Sequence, residues 1–181
     1  MTANQPPWPR EWLMTDERIG DRLWEAIDAL PDGGAGIVFR HYSLSLSERA
    51  LLVRQVSDVC RRRHLVLAVA RDADLAAEVG AQLVHNPVAN PQHLPFSRSA
   101  HSPEGAVTAC RAGASLIFLS PIHETRSHPG RTGMAAPLAA QIVAGCTVPV
   151  IALGGMNRAR LADLEDVGFY GWAGIDAWLD P

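Results

Sequence analysis

Eight short apolar runs, nearly all followed by amphipathic segments, predict an α/β chain folded as a (β/α)8 TIM barrel. Three observations lead there. The runs are continuously apolar rather than alternating, as strands buried on both faces must be. The segments between them carry helical periodicity, which calls for crossover connections and hence a parallel sheet. No linker, repeat or low-complexity tract interrupts the 181 residues, a length that suits one domain with its own core.

The elements are expected in this order. Trp12–Thr15 is the first strand and Asp21–Leu30 its helix. Gly36–Arg40 is the second strand, followed by a long helix, Ser47–Arg63; Ser45 with Glu48 three residues on offers a capping box as an alternative start. Leu65–Ala70, Gln82–His85 and Leu94–Ser99 are the third to fifth strands, with a short helix, Asp72–Val79, after the third. Ser102–Ala112 is helical and is stopped by Gly113. Ser115–Leu119 is the sixth strand, Pro137–Ala144 its helix, and Val148–Leu153 the seventh strand. Arg158–Val167, ended by Gly168, is the last helix, and Gly171–Ile175 the eighth strand. Only Ala177-Trp178-Leu179-Asp180-Pro181 follows, so an eighth helix is missing. The chain therefore divides into an N-terminal arm, residues 1–11, and one barrel domain, residues 12–181. Uncovered apolar area along strand eight would cost roughly 25 cal/mol per Å2. The Pro6-Pro7-Trp8-Pro9 arm or a second subunit is expected to cover that flank, with Trp8 and Trp178 as anchors, and a homodimer is the favoured arrangement.

Charge and composition narrow the function. A net charge of -3, from 16 Lys+Arg against 19 Asp+Glu, gives no general attraction to nucleic acid. The one dense basic run, Arg61-Arg62-Arg63, reads as a solvated helix end. Cys60, Cys110 and Cys146 are dispersed, without metal-ligand spacing, which points to a reducing compartment. No run approaches the roughly 20 apolar residues of a membrane helix, and the amino terminus has no apolar signal core. A soluble cytoplasmic domain is expected.

In such a barrel the chemistry belongs at the carboxyl ends of the strands. That rule selects Thr15-Asp16, Arg40-His41, His85-Asn86, Ser97-Arg98-Ser99, the 120–132 loop, Gly154-Gly155 and Asp176. The loop SLIFLSPIHETRSHPGRTG changes abruptly from apolar strand to hydroxyls, histidines and arginines. Gly154-Gly155 reads either as a tight turn alone or as an anion seat, where backbone N–H groups and the next helix face a phosphate. Thr125, Ser127 and Arg40 add donors around the same mouth, so the loop is expected to lie over an anionic ligand.

The residues also carry a resemblance. Leu13-Met14-Thr15-Asp16, Phe39-Arg40, Asp74-Leu75-Ala76 with Gly80-Ala81 and Val84-His85, Ser99-Ala100-His101, Gly113-Ala114, Ser120-Pro121 with Thr125-Arg126-Ser127, and PVIALGGM at 149–156 together resemble the thiamine phosphate synthase superfamily. That superfamily includes the thiazole tautomerase (TenI-type) branch. The resemblance runs from about Trp12 to Ala177, with PVIALGGM and the upstream hydroxyl loop as its most specific parts. It implies the same barrel and a thiazole-phosphate ligand.

The synthase joins a pyrimidine diphosphate to a thiazole phosphate, with Mg2+ carrying the leaving pyrophosphate. Its Gln-x-Arg-x-Lys after strand two corresponds here to Val38, Arg40 and Tyr42. Its Asn-Asp after strand three corresponds to Ala70 and Arg71, its second metal-holding Asp to Asn90, and a loop Lys to His128. Mg2+ needs anionic oxygen ligands, so no metal ligand is assigned. Mg2+ is expected only if synthase activity is retained. The thiazole side survives better, with Thr125 and Ser127 at the hydroxyl positions and Gly154 and Gly155 at the phosphate turn. Asp176 stands where Ser is usual.

The tautomerase branch moves a proton without metal, using a His beyond strand six. It resembles this chain at Arg98-Ser99-Ala100-His101-Ser102 and Glu124-Thr125. Its His falls at Pro121, and the nearest imidazole is His123. Two residues along an extended chain keep the same face but shift it by roughly 6–7 Å. His123 is thus either the acid–base group, if the loop bends inward, or an exposed loop histidine. His128 is a phosphate donor or a surface residue; His85 and His101 are read as structural. The expected set is His123 for catalysis, with Arg40, Ser99, Thr125, Ser127, His128, Gly154, Gly155 and Asp176 binding substrate. Metal-free proton transfer on a thiazole phosphate is favoured. Full synthase chemistry and a non-catalytic phosphometabolite-binding barrel are the alternatives.

Overall fold

The structure is a computed structural model that describes residues 8–124 and 132–179. Eight parallel strands close on themselves in chain order: β1 (Glu11–Met14), β2 (Ala35–Phe39), β3 (Val66–Ala70), β4 (Leu83–His85), β5 (Phe96–Ala100), β6 (Leu116–Leu119), β7 (Val150–Leu153) and β8 (Gly171–Gly174). Closure is made by β8 against β1, where Trp12 lies opposite Ala173 and Leu13 opposite Gly174. The (β/α)8 expectation holds.

Alternation along each strand divides the apolar side chains into two layers. Trp12, Met14, Val38, Ala68, Leu83, Leu116, Phe118, Ile151 and Ala173 fill the barrel interior. Trp12 meets Phe118 edge to face, with ring centroids 5.5 Å apart. This plug sets the sequence of its neighbour: a Cβ on Gly36 would lie 2.5 Å from the Trp12 ring. The intervening residues, among them Leu13, Ile37, Phe39, Val69 and Ile117, face the helices.

The helices are α1 (Leu23–Asp28), α2 (Leu46–Arg63), α3 (Ala73–Glu78), α4 (Pro103–Arg111), α5 (Ala136–Gly145) and α6 (Arg158–Ala162). Local caps explain their starts. Ser45 and Glu48 form the capping box of α2, Asp72 accepts the Leu75 N–H of α3, and Ser102 accepts the Gly105 N–H of α4. Two predicted helices are shorter than expected. The first runs only from Leu23 to Asp28, because Asp21 and Arg22 belong to a 3-10 turn, Glu17–Arg22, kinked at Gly20 with φ 50°. The last ends at Ala162, and a separate 3-10 turn, Glu165–Val167, completes it. The connection from β4 to β5 carries no helix. None of the helices is long and apolar enough to cross a membrane.

Along the flank of β8 the described residues supply part of the cover themselves. A single 3-10 turn, Asp176–Trp178, follows β8. It folds Trp178 back so that its ring stacks on Trp172 at 4.7 Å, and its Nε1 donates to the Trp12 carbonyl. Trp178 is buried within its own chain. Trp8 does not cover β8. It packs against the interior cluster, donates through Nε1 to the Ser115 carbonyl, and accepts from the Tyr170 hydroxyl. Ser115 and Tyr170 each precede a strand, so Trp8 plugs the amino-terminal end of the barrel. Pro6 and Pro7 lie outside the described residues.

Candidate functional site

At the carboxyl-terminal mouth, the sector formed by β1, β2, β4 and β5 is a closed set of polar contacts. Val38 faces the interior and Phe39 the helices, so Arg40 one residue on projects into the mouth. Its Nε donates to the Thr15 carbonyl at 2.9 Å, and its Nη2 lies 3.5 Å from Asp16 Oδ2. Burial lowers the Arg40 pKa, opposed by the nearby Tyr42 and Asp16. Asp16 is also bridged by Arg18. Burial pushes its carboxyl up, but the hydrogen bonds and charge of Arg18, helped by Arg40, hold it below its ordinary value. Arg40 is thus a mouth-lining cation with one long contact to a carboxylate.

His85 and Ser97 are cross-strand partners, and His85 Nδ1 meets Ser97 Oγ at 3.0 Å. On its other side Asn86 Nδ2 lies 3.1 Å from His85 Nε2 and donates to Ser99 Oγ at 3.0 Å, while Asn86 Oδ1 accepts from the Ser99 N–H. The ring is fully buried and edge-on to Phe118. Burial, then the charges of Arg40 and Arg98, lowers its pKa to about 3. His85 is therefore a neutral hydrogen-bonded strut that fixes Asn86 and Ser99. His101 shares its Nδ1 with the carbonyl and hydroxyl of Ser120, at 2.8 and 3.1 Å.

The β6–β7 sector differs. Beyond β6 the chain keeps pairing with the end of β7, the Ile122 N–H to the Leu153 carbonyl and the His123 N–H to the Gly154 carbonyl, both at 3.0 Å. Gly154 and Gly155 have φ of 100° and 61°. A Cβ on Gly155 would lie 2.9 Å from the Glu124 carbonyl and 3.0 Å from His123 Cβ. The glycine pair is required by this close approach of the loop, independently of any ligand. Arg160 donates to the Gly155 carbonyl and lies on α6, whose cap is Asn157.

His123 rests on this turn. Burial lowers its pKa, Arg160 of α6 lowers it further, and Asp163, just past the end of α6, opposes them. Among the described residues its Nε2 is buried and has no hydrogen-bond partner, an uncommon state for a buried polar atom. Thr125, Ser127 and His128 lie outside the described residues. Asp176 is exposed at the start of the turn after β8, where its charge acts on Arg18. The structure thus brings Arg40 near Ser99 through His85, and His123 beside Gly154 and Gly155.

The end of β3 was chosen by the sequence as a lost metal position. Arg71 there has φ 69°, and its guanidinium lies 4.5 Å from the Tyr42 ring centroid. The adjacent Asp72 is engaged by Arg49 and by the Leu75 N–H, and Asn90 is neutral. Among the described residues no group of three or more His, Cys, Asp or Glu could hold a metal ion. This donor set does not fit Mg2+, which wants several hard oxygen ligands. Sequence reasoning missed Arg49, whose guanidinium donates to the His41 and Ala70 carbonyls and ties α2 to the ends of β2 and β3. Its signal was an arginine in phase with buried Val53, Val56 and Cys60 of α2.

Comparison with known proteins identifies the family and the fold. The thiamine monophosphate synthase (TMP-TENI) family profile matches residues 12–178. A thiamine-phosphate synthase of Chloroflexus aurantiacus is 31% identical over 93% of this chain and 84% of its own. One of Geobacillus kaustophilus is 28% identical over 90% and 79%. The thiamine phosphate pyrophosphorylase structure from Pyrococcus furiosus superposes with a TM-score of 0.81 at 21% identity, covering 93% of this chain and 86% of that one, a likeness of fold. The chain belongs to the thiamine monophosphate synthase family.

Proposed function

We propose that the barrel binds a thiazole monophosphate at its mouth and moves a proton on that ligand without a metal ion, in the manner of a tautomerase. The observation that carries this reading is the buried Nε2 of His123, without a hydrogen-bond partner among the described residues, beside the Gly154–Gly155 turn. A general base needs a free lone pair within reach of its proton and a pKa suited to working pH. The lowered pKa leaves the imidazole neutral near pH 7, and therefore able to accept a proton.

The remaining residues bind and orient. Arg40 offers its guanidinium to an anionic group, and Ser99, held by Asn86, offers a hydroxyl. Thr125, Ser127 and His128 supply further donors, and Gly154 and Gly155 seat the phosphate through their backbone. Asp176, opposed by Arg18, sets the specificity at the far rim.

Coupling of a pyrimidine diphosphate to the thiazole phosphate is the second reading, and it is favoured by the names of the relatives. Against it stands the Arg71 guanidinium at the end of β3. Parallel incubations separate the two. With the thiazole carboxylate phosphate in EDTA, the tautomer should form; with both synthase substrates and Mg2+, thiamine phosphate should not. Robust Mg2+-dependent coupling would overturn the reading. Binding of the thiazole phosphate with neither reaction would reduce the protein to a phosphometabolite-binding barrel.

A further inference from the structure

The three cysteines are widely spaced in the sequence, but the fold brings two of them together. Successive β/α units set α4 and α5 side by side on the outer wall of the barrel. Cys110 lies in the last turn of α4, beside the buried Ala109, and Cys146 caps the carboxyl end of α5. Their thiols are in hydrogen-bond contact, and both side chains are half-buried against the outer apolar layer. Cys60 is different. It is 3% exposed on the buried face of α2, and burial pushes its thiol up to about 12.

Two thiols in contact, each reachable from solvent, have a chemistry that a single buried cysteine lacks. A disulfide needs an S–S bond of about 2.05 Å and Cβ atoms roughly 3.5–4.5 Å apart, so one residue has to adjust as the bond forms. Cys146 has that freedom, because it stands just outside α5 with extended backbone, φ -91° and ψ 138°. The two sulfurs are also unequal. Burial, then the charge and the hydrogen bond of Cys110, pushes the Cys146 thiol up to about 11. It is therefore protonated at neutral pH and a poor first nucleophile.

We propose that Cys110 and Cys146 form a thiol–disulfide exchange site on the outer wall of the barrel, oxidised to an intramolecular disulfide by a small-molecule disulfide. Cys110 loses its proton and attacks one sulfur of the small disulfide. The bond to Cys110 forms as the small S–S bond breaks, and the first small thiol leaves with a proton. The Cys110 sulfur then carries no charge, so its opposition to ionisation of Cys146 is gone. Cys146 gives up its proton, attacks the Cys110 sulfur and expels the second small thiol. Two electrons have passed from the protein sulfurs to the small disulfide. The new bond ties together the two ends of the segment that holds β6, His123 and α5. By constraining the unfolded chain, it should stabilise the fold. None of the mouth residues takes part, so the site stands or falls independently of the proposed function.

The reduced full chain, incubated with oxidised glutathione, tests the proposal by thiol alkylation and peptide mapping. Two of the three thiols should be lost, the map should join Cys110 to Cys146, and the thermal midpoint should rise. Dithiothreitol should restore all three thiols. Cys146→Ser should stop at a glutathione adduct on Cys110, while Cys110→Ser should react at least about tenfold more slowly at neutral pH. Retention of all three thiols, a bond to Cys60, or a disulfide between two copies of the chain would overturn the proposal, and the wild-type map decides this without any substitution. Equal adduct rates in the two variants would overturn the assigned order of attack.

Discussion

The two sides of the barrel mouth use their polar residues in opposite ways. Around β4 and β5, nearly every polar atom is engaged: His85 with Ser97, Asn86 with Ser99, and Arg40 with the Thr15 carbonyl. Around β6 and β7 the backbone is tightly paired, yet the His123 Nε2 has no hydrogen-bond partner among the described residues. Both sectors contain a histidine with a lowered pKa, so perturbation alone does not identify the working group. The difference lies in available valence. A neutral imidazole whose two nitrogens are occupied positions its neighbours, while one with a free buried nitrogen can exchange a proton.

The largest expected effect breaks the β6–β7 sector. Gly155→Asp places a Cβ against the Glu124 carbonyl and a non-glycine residue at φ 61°. Binding of a thiazole monophosphate, read by calorimetry, should be abolished, and stability should fall by about 1–3 kcal/mol. Retained binding at wild-type affinity would remove the turn from the site, as would equal affinity for the dephosphorylated alcohol.

A smaller effect should mark the β4–β5 sector as structural. The folded pKa of His85, about 3, lies below the ordinary imidazole value of 6.5. As pH falls through that unfolded value, the unfolded chain takes up a proton that the fold refuses. Stability is therefore lost downward from pH 6.5, by at most about 1.4 kcal/mol per pH unit. Urea denaturation between pH 7 and 4 should show a shallower loss for His85→Gln than for the wild type. Parallel curves would contradict the assignment of His85 as a buried neutral strut.

The smallest expected effect is none. EDTA should leave thiazole-phosphate affinity unchanged, because the end of β3 presents Arg71 and an Asp72 already engaged by Arg49. A calorimetric loss of affinity on chelation would show that the ligand is held through a metal.

Much of the barrel could be read from sequence because a strand buried on both faces writes itself as a continuous apolar run. All eight strands overlap their expected positions, and Ser45, Asp72 and Ser102 cap helices as their side chains allow. What escaped depends on long-range contacts. The partners of Trp8 and Trp178 could not be read because hydrophobic size says a ring is buried, not against what; one plugs the barrel and the other stacks on Trp172. The 3-10 turn Glu17–Arg22, with its kink at Gly20, lay mostly ahead of the expected helix and was not foreseen. At the site, strand ends picked out Arg40, Ser99, His123, Gly154, Gly155 and Asp176 as candidates. The occupied state of His85 and the free nitrogen of His123 needed coordinates, because each depends on which neighbour the fold supplies.

The most direct test of the central claim is the rate of tautomerisation of the thiazole carboxylate phosphate in EDTA, compared between wild type and His123→Gln across pH. The account predicts a slowing of the order of 10²–10⁴-fold with little loss of binding. The wild-type rate should fall only as pH drops below the ordinary imidazole range, since burial and Arg160 lower the His123 pKa and the base must be neutral. An unchanged rate in His123→Gln would contradict the claim and leave His123 a loop residue beside a tight turn.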